Sequence, residues 1–231
     1  MPGLSPDEVG ILALSLRVAV VSVICSLPLA ILVAYGLARF SFPGKTLVDA
    51  VVHLPLVLPP VVVGFALLVL FGKRGPIGGA LNDWFGVVFA FRWTGAALAS
   101  ALMGFPLMVR AIRLSLEAID QRLEVAARTL GGSRTRVFAT ITLPLALPGI
   151  ITGTLLSFAR GLGEFGATIT FVSNIPGETQ TLPSAIYTLM QVPDGEGGAM
   201  RLVVISIVIS LSALIISEWL GRRAEKRTVS S

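Results

Sequence analysis

The feature that most constrains this chain is a run of 21 residues, 18–38, without a single charged side chain. Crossing the hydrocarbon core of a bilayer takes about 20 apolar residues in a helix, so this run is long enough. A cleavable signal peptide would carry Lys or Arg ahead of its apolar core, whereas Asp7 and Glu8 stand there. We therefore expect residues 18–38 to form a membrane-spanning helix rather than a signal peptide.

Four further apolar stretches predict spans at 50–72, 93–109, 137–159 and 199–219. A weaker stretch, 84–91, is too short to cross and fits an interfacial or a re-entrant segment. Charged residues make up only 13% of the chain, about half of their usual share in a soluble domain. These patterns predict an all-α membrane helix bundle with about five transmembrane helices, in a single domain that covers residues 1–231.

Small and helix-breaking residues are placed within these spans. In lipid, a broken helix survives only where protein or a water-filled cavity satisfies the freed backbone groups, which favours a packed bundle around a pathway. Small residues also recur every four positions at Gly149, Gly153, Ser157 and Gly161. Such a stripe lets helices approach closely, either within one chain or between two copies of it.

Lysine and arginine are divided unevenly between the two sets of loops that five spans create, and cytoplasmic loops carry the excess. One set holds twelve of the 18 residues: Arg39, Lys45, Arg110, Arg113, Arg122, Arg128, Arg134, Arg136, Arg222, Arg223, Lys226 and Arg227. The other set holds Arg17, Lys73, Arg74, Arg92, Arg160 and Arg201. This split predicts an external N-terminus, a cytoplasmic C-terminus and a cytoplasmic loop at 110–136. The positive charge is explained by these loops, without nucleic-acid binding.

Few residues could support bond-making chemistry. Cys25 and His53 are each the single residue of their type, so an intrachain disulfide is impossible and a metal site lacks ligands. The Gly-Lys-Thr sequence at 44–46 resembles the end of a phosphate-binding P-loop, but Arg39 stands where that motif needs glycine. We expect no metal, no cofactor and no ATP site in this chain, so any energy from ATP must come from a partner.

The loop 110–136 contains a short amphipathic helix at 121–130. Gly131 and Gly132 follow it as a C-cap pair, and Ser133 can cap the next helix. Two consecutive alanines give the short helix a low profile, which suits insertion into a groove of another protein better than a solvated linker.

The spacing of Ala126-Ala127, Gly131 and then Ile-x-Leu-Pro at 141–144 resembles the cytoplasmic "EAA" loop of binding-protein-dependent ABC importer permeases. The position of the family's glutamate is Val125 here, and Glu124 lies one residue earlier. The resemblance implies a coupling helix that docks into a cleft on a cytoplasmic ATPase subunit. The residues that this role involves are Glu124, Ala126, Ala127, Arg128, Gly131, Ile141, Leu143 and Pro144.

Residues 157–171 and 174–179 are similar to the molybdate permease subunits, whose close relatives carry sulfate and thiosulfate. This resemblance extends over nearly the whole chain. It implies a type I ABC importer permease in the cell (inner) membrane, in contact with lipid. The implied partners are two cytoplasmic ATP-binding subunits, a periplasmic or extracellular substrate-binding protein and a second copy of the chain. The implied mechanism is alternating access, with molybdate as the substrate and sulfate, thiosulfate or tungstate as alternatives.

Arg160 and Glu164 are four residues apart, so they can pair on one helical face. The pair has two interpretations: a stabilising ion pair at the membrane boundary, or an arginine that attracts an anion at the outer end of a pathway. Phe165 and Gly166 would permit a bend with a bulky plug, so together with Thr168 they are candidate gate residues.

Two other classes of function fit the sequence less well. An ion-coupled carrier buries carboxylates or histidines near the membrane centre, and the predicted spans contain none there. An intramembrane enzyme needs a nucleophile with a base, or a metal cluster, and a lone histidine supplies neither.

Overall fold

The computed structural model describes residues 5–229, with the side chains of 5–213, 215, 216 and 219. Every regular element in this part of the chain is helical, which confirms the all-α prediction. The elements are α1 (Pro6–Arg39), α2 (Lys45–Val57), α3 (Pro60–Phe71), α4 (Pro76–Phe85), α5 (Trp93–Ala118), α6 (Gln121–Thr129), α7 (Arg134–Val137), a π-helical turn (Phe138–Thr142), α8 (Leu143–Leu145), α9 (Leu147–Leu162), α10 (Gly166–Val172), α11 (Leu182–Leu189) and α12 (Glu196–Val229).

Three segments of the described chain are long and apolar enough to cross a bilayer as single helices: α1, α5 and Glu196–Ala213 of α12. The number rises to five when each of two sharply bent helix pairs is taken as one span. The count of five spans, and the boundaries given to them, therefore stay predictions.

A capping box starts α1 well ahead of its apolar run. The Ser5 hydroxyl accepts from the Glu8 amide at 3.2 Å, and the Glu8 carboxylate accepts from the Ser5 amide at 2.8 Å. Pro6 occupies the first helical turn, where a missing N–H costs nothing. The second oxygen of Glu8 accepts from Arg201 at the start of α12, 3.0 Å away, so the first turns of α1 and α12 are joined.

The second predicted span, 50–72, is broken into α2 and α3, which meet at 112°. The break falls at two consecutive prolines, Pro59 and Pro60. Proline has no N–H to continue a helix, and it disfavours helical geometry in the residue before it. Leu58 accordingly leaves the helix in an extended conformation.

The fourth predicted span, 137–159, is also not one straight helix. It begins in a π-helical turn and bends by 66° between Arg134–Leu145 and Leu147–Leu162. Pro148 lies just after the bend and cannot donate to a preceding carbonyl. The predicted interruption of the spans is thus confirmed at these two places, whereas α1 and α5 continue as single helices through Pro28 and Pro106.

Helices α1, α5 and α9 form the centre of the bundle, and the small-residue stripe of α9 packs inside it. Gly153 is so close to α5 that a β-carbon there would lie 2.9 Å from the Met108 carbonyl oxygen. At Gly161, the nearest neighbours are Ser100 of α5 and Ser22 of α1. The stripe therefore serves packing within the chain, which is one of the two interpretations left open by the sequence.

A second close contact joins α3 to α10. A β-carbon at Gly64 would lie 2.5 Å from the Ala167 carbonyl oxygen, so the two backbones touch directly. Beside this contact, Phe171 and Val172 are fully buried against α5.

The weak apolar stretch 84–91 does not form a helix of its own. Its first two residues end α4, and Gly86 then turns the chain with a φ of 66°. Phe89 packs edge-on against Phe71 at 5.9 Å between ring centroids. This stretch is therefore an irregular connection that is partly held against α3.

Candidate functional site

The short helix predicted at 121–130 is present as α6. The Asp120 side chain accepts from the Arg122 amide at 2.9 Å and so caps the start of the helix. At its end, Gly131 has a φ of +90°, a left-handed conformation that favours glycine. The Gly131 amide donates to the Arg128 carbonyl and the Gly132 amide to the Ala127 carbonyl, each at 3.0 Å. This pair of bonds is a Schellman motif, and the predicted glycine cap is confirmed.

Ser133 caps the next helix, as predicted, because its hydroxyl accepts from the Arg136 amide at 3.3 Å. Both ends of the short helix and the beginning of the following one are therefore fixed by local hydrogen bonds. The position of α6 along the chain is set by sequence-local chemistry, independently of any partner.

One face of α6 has no cover within the described chain. Leu123 is 50% exposed on this face, and Leu130, directly after the helix, is 89% exposed. Val125, on the other side of the helix, is 51% exposed. Ala126 is exposed and Ala127 is half-buried. Apolar side chains at this level of exposure, next to two small alanines, form a flat surface that another protein can cover.

The opposite face of α6 is tied to the bundle by Glu124. One oxygen of its carboxylate accepts from Arg39 Nη2 at 2.7 Å and from the Thr142 hydroxyl at 3.0 Å. Arg39 ends α1 and Thr142 ends the π-helical turn, so a single carboxylate joins three segments. Arg39 and Thr142 could not be recognised as partners of Glu124 from the sequence, because no local spacing connects them with residue 124.

The remaining residues of the predicted motif lie beyond this contact. Ile141 and Leu143 are half-buried, and Pro144 is exposed. Leu143 packs against the core cluster that contains Leu37 and Ile112. Leu143 therefore holds the start of the fourth predicted span against α1 and α5, and none of the three positions belongs to the uncovered face of α6.

The predicted pair of Arg160 and Glu164 is present at the end of α9. Arg160 Nη1 lies 2.5 Å from Glu164 Oε2, and the Glu164 side chain is 1% exposed whereas that of Arg160 is 28% exposed. The other oxygen of Glu164 accepts from the Ala167 amide at 2.8 Å. Glu164 therefore neutralises an arginine and also satisfies a free amide in the first turn of α10.

The neighbouring gate candidates have different surroundings. Phe165 is half-buried, and its ring lies 5.1 Å from that of Tyr187. A β-carbon at Gly166 would lie 2.8 Å from the Pro60 side chain. Thr168 is 3% exposed, and its hydroxyl donates to the Phe165 carbonyl at 2.8 Å. Thr168 is thus engaged within its own helix, whereas Phe165 faces open space.

That open space is a mostly apolar cavity of about 450 Å³ between α9, α11 and α12. Phe165 and Tyr187 line one part of it, and Ser206 and Ser210 of α12 line another. Arg160 and Glu164 are not among its lining residues. Phe165 therefore lines this cavity, whereas the Arg160–Glu164 ion pair does not.

His53 belongs to a small charged network instead of a metal site. Its Nδ1 is 2.9 Å from the Asp49 carbonyl and 3.4 Å from the Asp49 carboxylate. The same carboxylate accepts from Arg113 at 2.9 Å. The hydrogen bond to Glu117, assisted by Asp49, raises the pKa of the Arg113 guanidinium. Among the described residues no group of three or more His, Cys, Asp and Glu could hold a metal ion.

The family described as "Binding-protein-dependent transport system inner membrane component" matches residues 26–226. The chain belongs to this family. It is therefore a multi-pass component of the inner membrane, and a transport subunit rather than an enzyme, as the sequence predicted.

Named relatives are similar over almost the whole chain. The molybdenum transport system permease protein ModB of Escherichia coli (strain K12) is 65% identical over 214 residues, 93% of each chain. The protein of the same name from Haemophilus influenzae is 59% identical over 220 residues, 95% of this chain and 96% of the relative. The sulfate transport system permease protein CysT of Salmonella typhimurium is 34% identical over 222 residues, 95% of this chain and 80% of the relative.

Solved structures of ABC transporters have the same fold. A bacterial alginate ABC transporter, in complex with an alginate pentasaccharide-bound periplasmic protein, matches 95% of this chain and 80% of its own with a TM-score of 0.74 at 19% identity. An amino acid ABC transporter with histidines matches 94% of both chains with a TM-score of 0.65 at 18% identity. These likenesses show the fold alone, and the predicted type I importer permease architecture is confirmed.

Proposed function

We propose that this chain is the permease subunit of an ATP-driven importer that carries molybdate by alternating access. The observation that carries the proposal is the high identity to named molybdenum permeases over nearly the whole chain, 65% in E. coli and 59% in H. influenzae. A sulfate permease matches a similar length at 34% identity. A shared substrate is expected at the level of identity that the first two relatives have.

A motor is required by the energetics of the proposed substrate. Moving a dianion inward against an inside-negative potential of about 100 mV costs about 4.6 kcal/mol. Each tenfold of accumulation adds about 1.4 kcal/mol. Two cytoplasmic ATP-binding subunits supply this free energy in the proposed complex, and an external substrate-binding protein delivers the oxyanion to a dimer of the permease.

α6 is the proposed docking element for the ATP-binding subunit. Its uncovered face, formed by Leu123, Ala126, the half-buried Ala127 and the following Leu130, is apolar and low in profile, and the Schellman motif fixes its end. Glu124 connects the same helix to α1 and to the π-helical turn. A partner that moves α6 therefore acts on two transmembrane segments at once, which is what coupling requires.

Arg160 and Glu164 are proposed to act mainly in stability, with a smaller contribution to the pathway. The nearly complete burial of Glu164 and its contact with the start of α10 support the structural part. The partial exposure of Arg160 leaves a positive charge within reach of solvent, which supports the smaller part. Phe165, at the edge of the apolar cavity, is the proposed gate residue.

The orientation is tested by single cysteines in a background that lacks Cys25. In the proposed topology, a cysteine at Glu178 reacts with a membrane-impermeant reagent from outside, and a cysteine at Arg122 reacts only from the cytoplasmic side. Both positions are exposed, Glu178 in a loop and Arg122 on α6. Reaction of both from the same side would contradict the five-span topology.

The substrate is tested with the assembled complex in proteoliposomes. ATP hydrolysis and uptake are measured with the binding protein loaded in turn with molybdate, tungstate, sulfate and thiosulfate. We expect stimulation by molybdate and by tungstate, which is nearly equal in size and charge, and little by sulfate. Stimulation by sulfate alone would reject molybdate, and uptake without any ATP-binding subunit would reject the importer in favour of an ion-coupled carrier.

A further inference from the structure

A second, polar cavity of about 210 Å³ lies between the end of α1, α6 and the start of the fourth span. Its charged lining residues are Arg39, Arg128 and Arg134, with Glu124 as the one carboxylate. Three positive charges therefore face one negative charge. Such an excess around a concave site attracts anions.

Arg39 is the least satisfied of these side chains. It is only 7% exposed, and its one ion pair uses Nη2 on Glu124. Arg39 Nε is buried and has no hydrogen-bond partner among the described residues. A guanidinium carries five N–H donors, and a buried charge is costly unless it is well paired. An anion in the cavity would complete the pairing of a cation that is already removed from water.

Arg128 and Arg134 approach the same cavity from α6 and α7. Both are exposed, and neither forms an ion pair with any described residue. On the remaining side, Tyr35 and Phe138 line the cavity and pack edge-on at 4.9 Å between ring centroids. The cavity thus combines free positive charge with an apolar wall.

We propose that this cavity binds a phosphate-type tetrahedral oxyanion, either a free anion or the phosphate of a lipid headgroup. The planar fork of arginine suits such oxygens. A water molecule takes up about 30 Å³ of liquid volume, so a five-atom oxyanion fits with room for water. Bound there, it joins α1, α6 and α7 through one ligand and holds α6 against the bundle. The site is separate from the proposed pathway, so this proposal does not depend on molybdate being the transported substrate.

The first test uses the full chain in uncharged detergent, titrated with inorganic phosphate at constant ionic strength while thermal stability is followed. A ligand that binds the folded state raises stability in a saturable way. Arg128→Gln and Arg134→Gln should each weaken the apparent affinity about tenfold or more, because each removes a charge-assisted hydrogen bond. The matched controls are Arg122→Gln and Arg136→Gln, which remove the same charge from α6 and α7 outside the cavity lining.

The controls should change the affinity by less than about twofold, the size expected for exposed charges that only contribute to the general field. Equal weakening by all four variants would mean non-specific attraction and would overturn the proposal. Unchanged affinity in Arg128→Gln and Arg134→Gln, or no saturable stabilisation of the wild type, would overturn it as well. Since the substituted residues are exposed, we expect helical content by circular dichroism to stay at the wild-type level in each variant.

The second test identifies the source of the phosphate group. The chain is placed in nanodiscs of phosphatidylglycerol or of phosphatidylcholine, and the phosphate titration is repeated in both. If the ligand is a lipid headgroup, the chain should be more stable in phosphatidylglycerol than in phosphatidylcholine, and added phosphate should give no further gain in phosphatidylglycerol. Arg134→Gln should then remove the difference in stability between the two lipids. A free anion predicts the same phosphate-dependent gain in both lipids. If stability responds neither to phosphate nor to the lipid headgroup, the anion site is rejected. That outcome would not bear on the proposed transport function.

Discussion

Two Arg–Glu ion pairs of similar length lie in very different parts of the molecule. Arg160 and Glu164 are one helical turn apart at the end of α9, and their contact is local. Arg39 and Glu124 are 85 residues apart and join the end of α1 to α6. The first pair lies where the chain turns from α9 into α10, whereas the second connects a surface helix to the bundle.

The difference lies in what else each carboxylate holds. Glu164 is almost fully buried and also satisfies a backbone amide, so its removal leaves two groups without a partner. Glu124 is 14% exposed and shares its oxygen with a threonine hydroxyl. The comparison predicts that Glu164 matters more for stability, and that Glu124 matters more for communication between α6 and the rest of the chain.

The largest effect is expected at Glu164. Glu164→Ala should lower the free energy of unfolding by about 2–3 kcal/mol, less than the 3–5 kcal/mol typical of a broken buried pair because Arg160 is partly exposed. Glu164→Gln keeps an oxygen for the Ala167 amide and should lose about half as much. Denaturation in detergent measures both. Wild-type stability in the two variants would contradict the structural role of the pair.

The double change of Arg160→Ala and Glu164→Ala sharpens this test. Residues in direct contact are not additive, so the double variant should cost less than the sum of the single ones. If Arg160 also attracts the anion, Arg160→Ala should lower uptake per folded molecule, and Arg160→Lys should restore part of it because a point charge is kept.

The second effect is expected on the uncovered face of α6. Ala127→Glu should weaken the docking of the ATP-binding subunit, since overpacking a close contact costs about 1–3 kcal/mol. Ala118→Glu places the same side chain at an exposed position of α5 just before α6 and is the matched control. Co-purification of the complex measures the docking. Normal co-purification and transport with Ala127→Glu would exclude this face as the docking surface.

The third effect concerns the Arg39–Glu124 pair. Glu124→Gln should cost about 1–2 kcal/mol of stability, because it leaves the buried Arg39 charge without its carboxylate. ATP hydrolysis by the complex should persist while uptake per ATP falls, since α6 is then held less firmly to α1. Arg122→Gln, on the same helix but outside this contact, is the control. Equal uptake per ATP in Glu124→Gln and the wild type would remove the distinction between the two pairs.

The smallest effect is expected at a third pair, Glu8 and Arg201. Hydrogen bonding to the Ser5 amide and to Arg201 lowers the pKa of Glu8 below its ordinary value of 4.5. A carboxyl with a lowered folded pKa adds stability that is present above pH 4.5 and is lost as the pH falls through the folded pKa. The contribution is about 1 kcal/mol or less, because Arg201 is half exposed. A stability profile from pH 7 to 3 should flatten in Glu8→Gln, and an identical profile would exclude this contribution.

The sequence predicts the parts of the site that depend on nearby residues. The glycine end of α6, the cap at Ser133 and the pairing of Arg160 with Glu164 all follow from spacings of four residues or fewer. The partner of Glu124 could not be predicted, because any of several arginines could reach it and only the packing of α1 beside α6 selects Arg39.

The fold, like the site, was predictable where it depends on residues that are close in the sequence. Apolar length predicts α1 and α5. The prolines predict interruptions but not which spans bend, because α1 and α5 continue through Pro28 and Pro106 whereas the second and fourth predicted spans are sharply bent. The angle of 112° between α2 and α3 depends on where α3 packs, and this is set by the direct contact of Gly64 with α10. Short helices such as α11 lack the apolar length that identifies a span, so hydropathy alone does not reveal them.

The close contact of Gly153 with the Met108 carbonyl has a mechanical consequence. With the two backbones touching, α5 and α9 cannot slide or tilt against each other without first separating, and packed interiors resist such deformation. We therefore expect the two helices to move together in a rearrangement that preserves the fold. Bending is expected to concentrate at the joints at Pro59 and Ala146, where the helix pairs already meet at 112° and 66°.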